Sequence, residues 1–329
     1  MPQRPHAILI AGPTASGKSA AALALAERLS GTVINADSMQ VYRELAVLTA
    51  RPGAEDETRA PHRLYGTVPA ASAYSVGQWV ADAGSAIAES RAAGRLPILI
   101  GGTGLYFKAL LEGLAPVPDI PADLRDHWRK QSEALDAPKL YGELLARDPF
   151  MARRLRPTDS QRIARALEVI DATGVSLAEW QGEQSEPVLA AETTLKILVA
   201  PEREIVYAAT DARLDRMVEA GALDEVRTLM DLRLDPSLPV MRAHGVPELA
   251  AYLVGAVELE DAKTKAKTET RRYAKRQMTW ARRYMTDWEW VPAADAAVAA
   301  VSERFTPSPE RGRARVGVSH FRLSTWRPG

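Results

Sequence analysis

Residues 7–19 read Ala7-Ile8-Leu9-Ile10-Ala11-Gly12-Pro13-Thr14-Ala15-Ser16-Gly17-Lys18-Ser19, and this stretch decides the fold. An apolar run of strand length feeds directly into a complete G-x-x-x-x-G-K-S phosphate loop, and the Ala-rich segment 19–29 that follows is a strong helix former. The glycines let successive backbone N–H groups turn inward around phosphate oxygens. Lys18 adds a point charge, and the Ser19 hydroxyl is placed to ligand Mg²⁺ at the start of a helix. An ordinary Gly-rich turn is the alternative, but it does not require a strand before it and a helix after it. The pattern is that of nucleotide- and ATP-binding proteins, and it implies a di- or triphosphate ligand.

Outward from this loop, the composition bounds the class of protein. The chain has 329 residues, 46% of them hydrophobic, which suffices for one large core or a core plus a smaller lobe. No run approaches the roughly 18 apolar residues of a membrane span, and the first strand follows the N-terminus without a signal-peptide pattern. Cysteine is absent, which excludes disulfides and thiolate metal sites and makes the cytoplasm the simplest location. Lys+Arg and Asp+Glu both number 42, so the surface is not uniformly basic. The charge is uneven, however: residues 263–283 hold nine Lys/Arg against Glu269 alone, and residues 153–165 hold five arginines against Asp159. Such stretches are either solvated helix faces or the footprint of a phosphate backbone.

Short apolar runs suited to buried parallel strands occur at 6–11, 32–35, 96–100 and 195–200, with helical patterns separating the first three. That alternation predicts an α/β fold: a parallel sheet of the P-loop NTPase-like kind, flanked by helices. The core comprises residues 1–114 and 195–305. Between them, residues 115–194 open with Pro116, Pro118 and Pro121 and continue in helix-like segments, which reads as a mostly helical insertion domain. Helices are clearest at 211–232 and 258–284. From residue 306 to 329, Pro, Ser, Arg and Gly dominate, as in a weakly ordered tail.

The carboxyl edge of a parallel sheet is where ligands bind, so Asp37, just past the second strand, is expected to face the phosphate site. On position alone it is a catalytic group, a helix cap or a carboxylate near Mg²⁺. The run at 96–100 ends in Gly101-Gly102-Thr103-Gly104, where a hydrolytic NTPase commonly carries an acid. Two glycines and a hydroxyl instead suggest close backbone approach to a ligand. Asn35 is the only asparagine and is followed by Ala36, so the N-K-x-D guanine motif is absent. On the residues alone, the competing reading is a small-molecule kinase with an arginine-bearing lid.

Five motifs in order decide between these readings. Gly12–Ser19, Asp37–Tyr42 (D-S-M-Q-V-Y), Gly101–Tyr106 (G-G-T-G-L-Y), Gln161–Glu168 (Q-R-I-A-R-A-L-E) and Arg271–Trp280 (R-R-Y-A-K-R-Q-M-T-W) together resemble the bacterial tRNA dimethylallyltransferase family, over about residues 6–290. The resemblance implies transfer of the dimethylallyl group from dimethylallyl diphosphate to the N6 amine of the adenine immediately 3′ of the anticodon, with release of pyrophosphate. The phosphate loop Gly12, Pro13, Thr14, Ala15, Ser16, Gly17, Lys18 and Ser19 then holds a leaving group, with Mg²⁺ on Ser19. No water needs activating, which accounts for the missing acid after the 96–100 strand.

The same resemblance implies roles for individual residues. Asp37 accepts the proton of the adenine amine, worth ~10²–10⁴-fold, while Lys18, Thr103 and Arg213 complete the catalytic set. Arg216 competes with Arg213 for the diphosphate. Asp37, Ser38, Met39, Gln40 and Thr103 contact the tRNA, as do Arg125 and the patch Gln161, Arg162, Ile163, Ala164 and Arg165. The partners are the tRNA anticodon stem-loop and dimethylallyl diphosphate, with no membrane, and the expected state is a monomer. One departure stands out: where the family usually has an I-G-Y type sequence, this chain has His244-Gly245-Val246 and lacks the aromatic residue.

Overall fold

The structure, a computed structural model, describes residues 5–305, so the tail expected from 306 lies outside the described residues. Six strands form one sheet: β1 (Ala7–Ala11), β2 (Gly31–Asn35), β3 (His62–Arg63), β4 (Leu96–Gly101), β5 (Thr194–Val199) and β6 (Glu289–Val291). Their order is β3-β2-β4-β1-β5-β6, and every pairing is parallel. β1 is central: Ile8 pairs with Ile98 of β4 and with Leu195 of β5. All five β1 residues are buried, as a strand covered on both faces requires.

Period-two alternation divides that strand between two cores. Ala7, Leu9 and Ala11 join one apolar cluster with Ile34 and Leu99, while Ile8 and Ile10 join another with Val33, Ile98, Ile197 and Val199. Helix α1 (Lys18–Leu29) covers the second face through Ala21, Ala22, Leu25 and Ala26. After the short α2 (Ala54–Arg59), helices α3 (Val76–Ala92) and α4 (Gly104–Glu112) cover the first face with Trp79, Ala83 and Phe107. Alanine is frequent in α1 because small side chains let the helix lie close to the sheet.

The chain divides into two compact units. One runs to Leu111 and resumes at Val188; the other is Glu112–Pro187. The second unit is helical: α5 (Ala122–Ala134), α6 (Ala137–Arg147), α7 (Pro149–Ala152), α8 (Ser160–Thr173) and α9 (Leu177–Trp180). Its own core is built from Trp128, Leu140, Leu144, Ile163 and Leu167. Asp136, Asp148, Asp159 and Ser176 each accept a backbone N–H at a helix start, so four of these five helices begin on a side-chain cap.

The first unit resumes with β5, then α10 (Arg203–Glu219), α11 (Ala222–Asp231), α12 (Val246–Leu253), α13 (Leu259–Tyr284) and, after β6, α14 (Ala294–Phe305), which joins α1 on the second face. The single helix expected at 211–232 is corrected here. The chain breaks at Gly221, whose φ of 101° lies in the left-handed region that ends a helix, and α10 begins at Arg203 rather than 211. The edge strands β3 and β6 went unread in the sequence because two or three half-polar residues carry no periodicity. Backbone pairing alone makes them strands: His62 with Val33, and Glu289 with Ile197.

Candidate active site

The phosphate loop links β1 to α1. Gly12 is obligatory there, since a Cβ at that position would lie 2.6 Å from the Val199 carbonyl oxygen of β5. Ala15 (φ 60°) and Gly17 (φ 85°) both take left-handed backbone, which curls the loop around the buried Ser16. The Ser16 hydroxyl is buried and has no hydrogen-bond partner. Lys18 folds back to donate to the Pro13 carbonyl at 3.0 Å. Burial pushes its ammonium down to about 8; Asp37 opposes that shift and Arg213 adds to it. The two residues assigned to opposite ends of the reaction are thus electrostatic neighbours of one lysine.

Two helices, α13 and α10, brace the loop. The Thr14 N–H donates to Gln277 Oε1 of α13 at 3.0 Å, and Gln277 Nε2 donates to the Gly102 carbonyl at 3.0 Å. Arg213 of α10 donates from Nη1 to the Thr14 hydroxyl at 3.3 Å and from Nη2 to the Thr49 carbonyl at 3.1 Å. Gln40 donates to that same carbonyl at 2.8 Å. Arg216, the competing arginine, donates from Nε to the Ala212 carbonyl of its own helix at 3.3 Å and also lines the cleft. That cleft is about 1010 Å³ and is bordered by the phosphate loop, Asp37, Gln40, Thr49 and Arg213.

Asp37 stands just past the carboxyl end of β2. Its Oδ1 accepts the Met39 N–H at 2.9 Å, leaving the carboxylate oriented by its own turn. The Thr103 hydroxyl accepts the Ser38 N–H at 3.0 Å and donates to Ser38 Oγ at 3.3 Å. Asp37 also borders a smaller cavity of about 80 Å³ whose walls include Met39, Leu48, Met217, His244 and Tyr273. His244 lies against Tyr273 with ring centroids 4.5 Å apart and planes tilted by 44°, and burial, with Arg276 nearby, holds its pKa below the ordinary histidine value. Burial raises the Tyr273 hydroxyl, which interacts with Thr103 and Gln277.

This geometry bears on two expectations. The glycines of Gly101–Gly104 serve close approach within the protein. A Cβ on Gly101 would meet the Ala36 carbonyl oxygen at 1.9 Å, one on Gly102 would meet Gln277 at 2.1 Å, and one on Gly104 would meet the Trp280 ring at 2.2 Å. In the helical unit, Gln161, Arg162 and Arg165 are exposed on α8, but Ile163 and Ala164 are buried, Ile163 within the unit's apolar core. Their side chains pack inward, away from the exposed face that carries Gln161, Arg162 and Arg165. Arg125 is exposed on α5. Arg162 pairs with Asp159 at 3.4 Å and Arg165 with Glu168 at 2.9 Å.

The basic run of α13 is also partly neutralised. Lys263 and Lys267 both pair with Asp215, and Arg271 pairs with Asp211, stapling α13 to α10. Sequence reasoning assigned no role to Gln277, Tyr273, His244 or Thr49. The first two lie within the R-R-Y-A-K-R-Q-M-T-W motif, which is the signal that could have found them. Val246, at the position of the missing aromatic residue, is buried in the first unit's core.

A parallel sheet with a phosphate loop at its central strand, an arginine braced on that loop and a carboxylate beside it defines an α/β phosphate-loop protein. Similarity to known proteins specifies which. Residues 40–284 match the family described as IPP transferase, and residues 5–69 match isopentenyl transferase. The chain is 53% identical over 294 residues to a tRNA dimethylallyltransferase of Rhodopseudomonas palustris, covering 89% of this chain and 92% of that one. It is 52% identical to that of Azorhizobium caulinodans, covering 87% and 91%. Among solved structures, it resembles the tRNA isopentenylpyrophosphate transferase of Bacillus halodurans with a TM-score of 0.63 and 32% identity, covering 91% of this chain and 97% of that one. A eukaryotic dimethylallyltransferase acting on tRNA gives a TM-score of 0.71 at 30% identity, covering 84% and 69%. This chain belongs to the tRNA dimethylallyltransferase family, and the kinase reading finds no support among these relatives.

Proposed function

We propose that this protein transfers a dimethylallyl group from dimethylallyl diphosphate to the N6 amine of the adenine immediately 3′ of the anticodon, releasing pyrophosphate. The observation that carries this reading is the shared environment of Lys18, Arg213 and Asp37, two cations and a carboxylate bordering one cleft at the carboxyl edge of the sheet. The cations suit a departing diphosphate, and the carboxylate suits an amine that must lose a proton.

The adenine amine attacks the allylic carbon as the carbon–oxygen bond to the diphosphate breaks, and its proton passes to an Asp37 oxygen. The amine's lone pair is delocalised into the ring, so a positioned base is worth ~10²–10⁴-fold. Lys18, the inward-facing loop amides and Arg213 take up the charge that builds on the diphosphate. Thr103, tied to Ser38, fixes the segment Ser38–Gln40 against which the extruded base is held. The small cavity beside Asp37 has an apolar side formed by Met39, Leu48, Leu214 and Met217, against which the five-carbon chain would lie.

The loop also fits Mg²⁺. Among the described residues no group of three or more His, Asp and Glu could hold a metal by itself, but Ser19, with Asp37 bordering the same cleft, fits an ion that keeps waters and phosphate oxygens as its remaining ligands. Bound there, it would supply charge neutralisation for the leaving diphosphate. On this reading Arg125, Gln161, Arg162 and Arg165 touch the anticodon stem-loop. The protein works as a monomer in the cytoplasm; among the described residues no helix is long and apolar enough to cross a membrane.

Incubation with labelled dimethylallyl diphosphate and total tRNA tests this reading. The expected result is label on that adenine, with one pyrophosphate released per transfer. Absence of label from RNA, or ADP formed from ATP with a small acceptor, would reject it.

A further inference from the structure

The loop that carries Thr49 has no regular secondary structure, yet three of its consecutive N–H groups converge on one side chain. The Glu225 carboxylate of α11 accepts from Ala46 N–H at 2.5 Å and Val47 N–H at 2.8 Å through Oε1, and from Leu48 N–H at 2.9 Å through Oε2. A charged acceptor makes such bonds roughly twice as strong as neutral ones. The loop closes on itself besides: Thr49 Oγ1 donates to the Leu45 carbonyl at 2.7 Å, and the Arg51 N–H donates to the Ala46 carbonyl at 3.0 Å.

Two peptide units beyond the last of those N–H groups is the Thr49 carbonyl. It accepts from Arg213 at 3.1 Å and from Gln40 at 2.8 Å, and the other Arg213 nitrogen reaches Thr14 of the phosphate loop. A continuous series of bonds therefore runs from Glu225 through the 46–49 backbone to the arginine on the phosphate loop and to the glutamine beside Asp37. Glu225 itself does not border the cleft, whereas Ala46, Val47, Thr49, Gln40 and Arg213 do.

We propose that Glu225 is a positioning residue: its carboxylate gathers the Ala46–Leu48 backbone and thereby sets where the Thr49 carbonyl holds Arg213 and Gln40 in the cleft. This role rests on the reading of that cleft as the diphosphate site. Its physical basis is that Arg213 has two anchors, Thr14 of the phosphate loop and the Thr49 carbonyl, and the second is carried by the segment that Glu225 gathers. A displacement of about 1 Å at such a group can cost on the order of 10²-fold in rate.

Glu225→Gln replaces one acceptor oxygen by an N–H₂ group, setting a donor against a donor in the loop. Inorganic pyrophosphate is titrated calorimetrically into the wild type, Glu225→Gln, Arg213→Ala and the double variant, with melting followed in parallel. Loss of a supporting partner of this kind is expected to weaken pyrophosphate binding by about 10-fold in Glu225→Gln, and by less than about 2-fold when added to Arg213→Ala, because the effect is relayed through that arginine. Leu229→Ala, in the core-facing side of the same helix, should lower the melting temperature while leaving pyrophosphate affinity within about 2-fold. Glu225→Asp, which keeps the charge but shortens the reach, should show the same dependence on Arg213 and serves should the glutamine variant not fold. A well-folded Glu225 variant with wild-type affinity, or one whose loss repeats in full without Arg213, would overturn the positioning role alone. Failure of the wild type to bind pyrophosphate would overturn the reading of the cleft and this role with it.

Discussion

The buried Asn35 side chain holds the backbone of Asp37 from both sides: its Oδ1 accepts the Asp37 N–H at 2.8 Å and its Nδ2 donates to the Asp37 carbonyl at 2.9 Å. The same Nδ2 donates to the Leu64 carbonyl at 3.1 Å, and the Asn35 carbonyl accepts the Trp79 indole N–H at 2.9 Å. The proposed base therefore leaves the sheet on a turn locked by one amide and anchored to two other segments. An aspartate in place of Asn35 would keep the acceptor and lose both donated bonds.

Asn35→Ala should destabilise the fold by about 1–3 kcal/mol, because buried carbonyls and an N–H lose their partner, and should lower turnover even where the protein is fully folded. Melting and single-turnover transfer at a low temperature separate the two effects. Wild-type turnover in the folded variant would remove Asn35 from the positioning of Asp37.

Asp37→Ala should reduce turnover by about two orders of magnitude or more while largely preserving affinity for dimethylallyl diphosphate. Lys18→Ala should impair both. Near-normal single-turnover transfer by Asp37→Ala would be incompatible with its role as base.

Diphosphate affinity should depend on pH through Lys18. Burial lowers its pKa to about 8 from 10.5, and a bound anion favours the ammonium. Above about pH 8 binding must first protonate the amine, so pyrophosphate affinity should fall by up to about tenfold per pH unit there, and be insensitive to this group below it. In the unliganded protein the sign for stability is the opposite of a salt-bridged lysine. Between about pH 8 and 10.5 the unfolded chain binds the extra proton, so this group raises stability with pH in that window, and its full penalty is present below it. Calorimetry from pH 7 to 10 reads the affinity, and an equal fall in Lys18→Arg would exclude Lys18 as the titrating group.

The cations of α13 and α8 should separate by their partners. Lys263, Lys267 and Arg271 staple α13 to α10, so their removal should affect melting more than tRNA binding. Arg162→Ala and Arg276→Ala should each flatten the dependence of log affinity for tRNA on log salt by roughly 0.7–0.9, the share of one neutralised phosphate, with pyrophosphate binding unchanged. Unaltered slopes would return Arg162 and Arg276 to solvated helix faces.

Ile163→Ala should cost about 2–5 kcal/mol as a core truncation and leave the salt slope of tRNA binding untouched. A variant of normal stability with weakened tRNA binding would contradict its placement in the core.

The sequence by itself determined the parts whose physics is local. A strand-length apolar run feeding G-x-x-x-x-G-K-S allows little besides a phosphate loop between a buried strand and a helix, and five ordered motifs pointed to the family. Alternation of apolar runs with helical patterns announced a parallel sheet, because crossover connections need helices and sheets buried on both faces need continuous apolar strands. Tertiary structure decided what depends on residues distant in sequence. Gly101, Gly102 and Gly104 make room for Ala36, Gln277 and Trp280, which no local pattern reveals. Arg213 is held by the Thr49 carbonyl, more than 160 residues away in sequence. The charges of α13 looked equivalent until folding set three of them against Asp211 and Asp215. Ile163 looked like part of an RNA-binding motif until helix periodicity turned it inward. Short-range chemistry is written in neighbouring residues; close approach, pairing and burial arise only when the chain brings separate segments together.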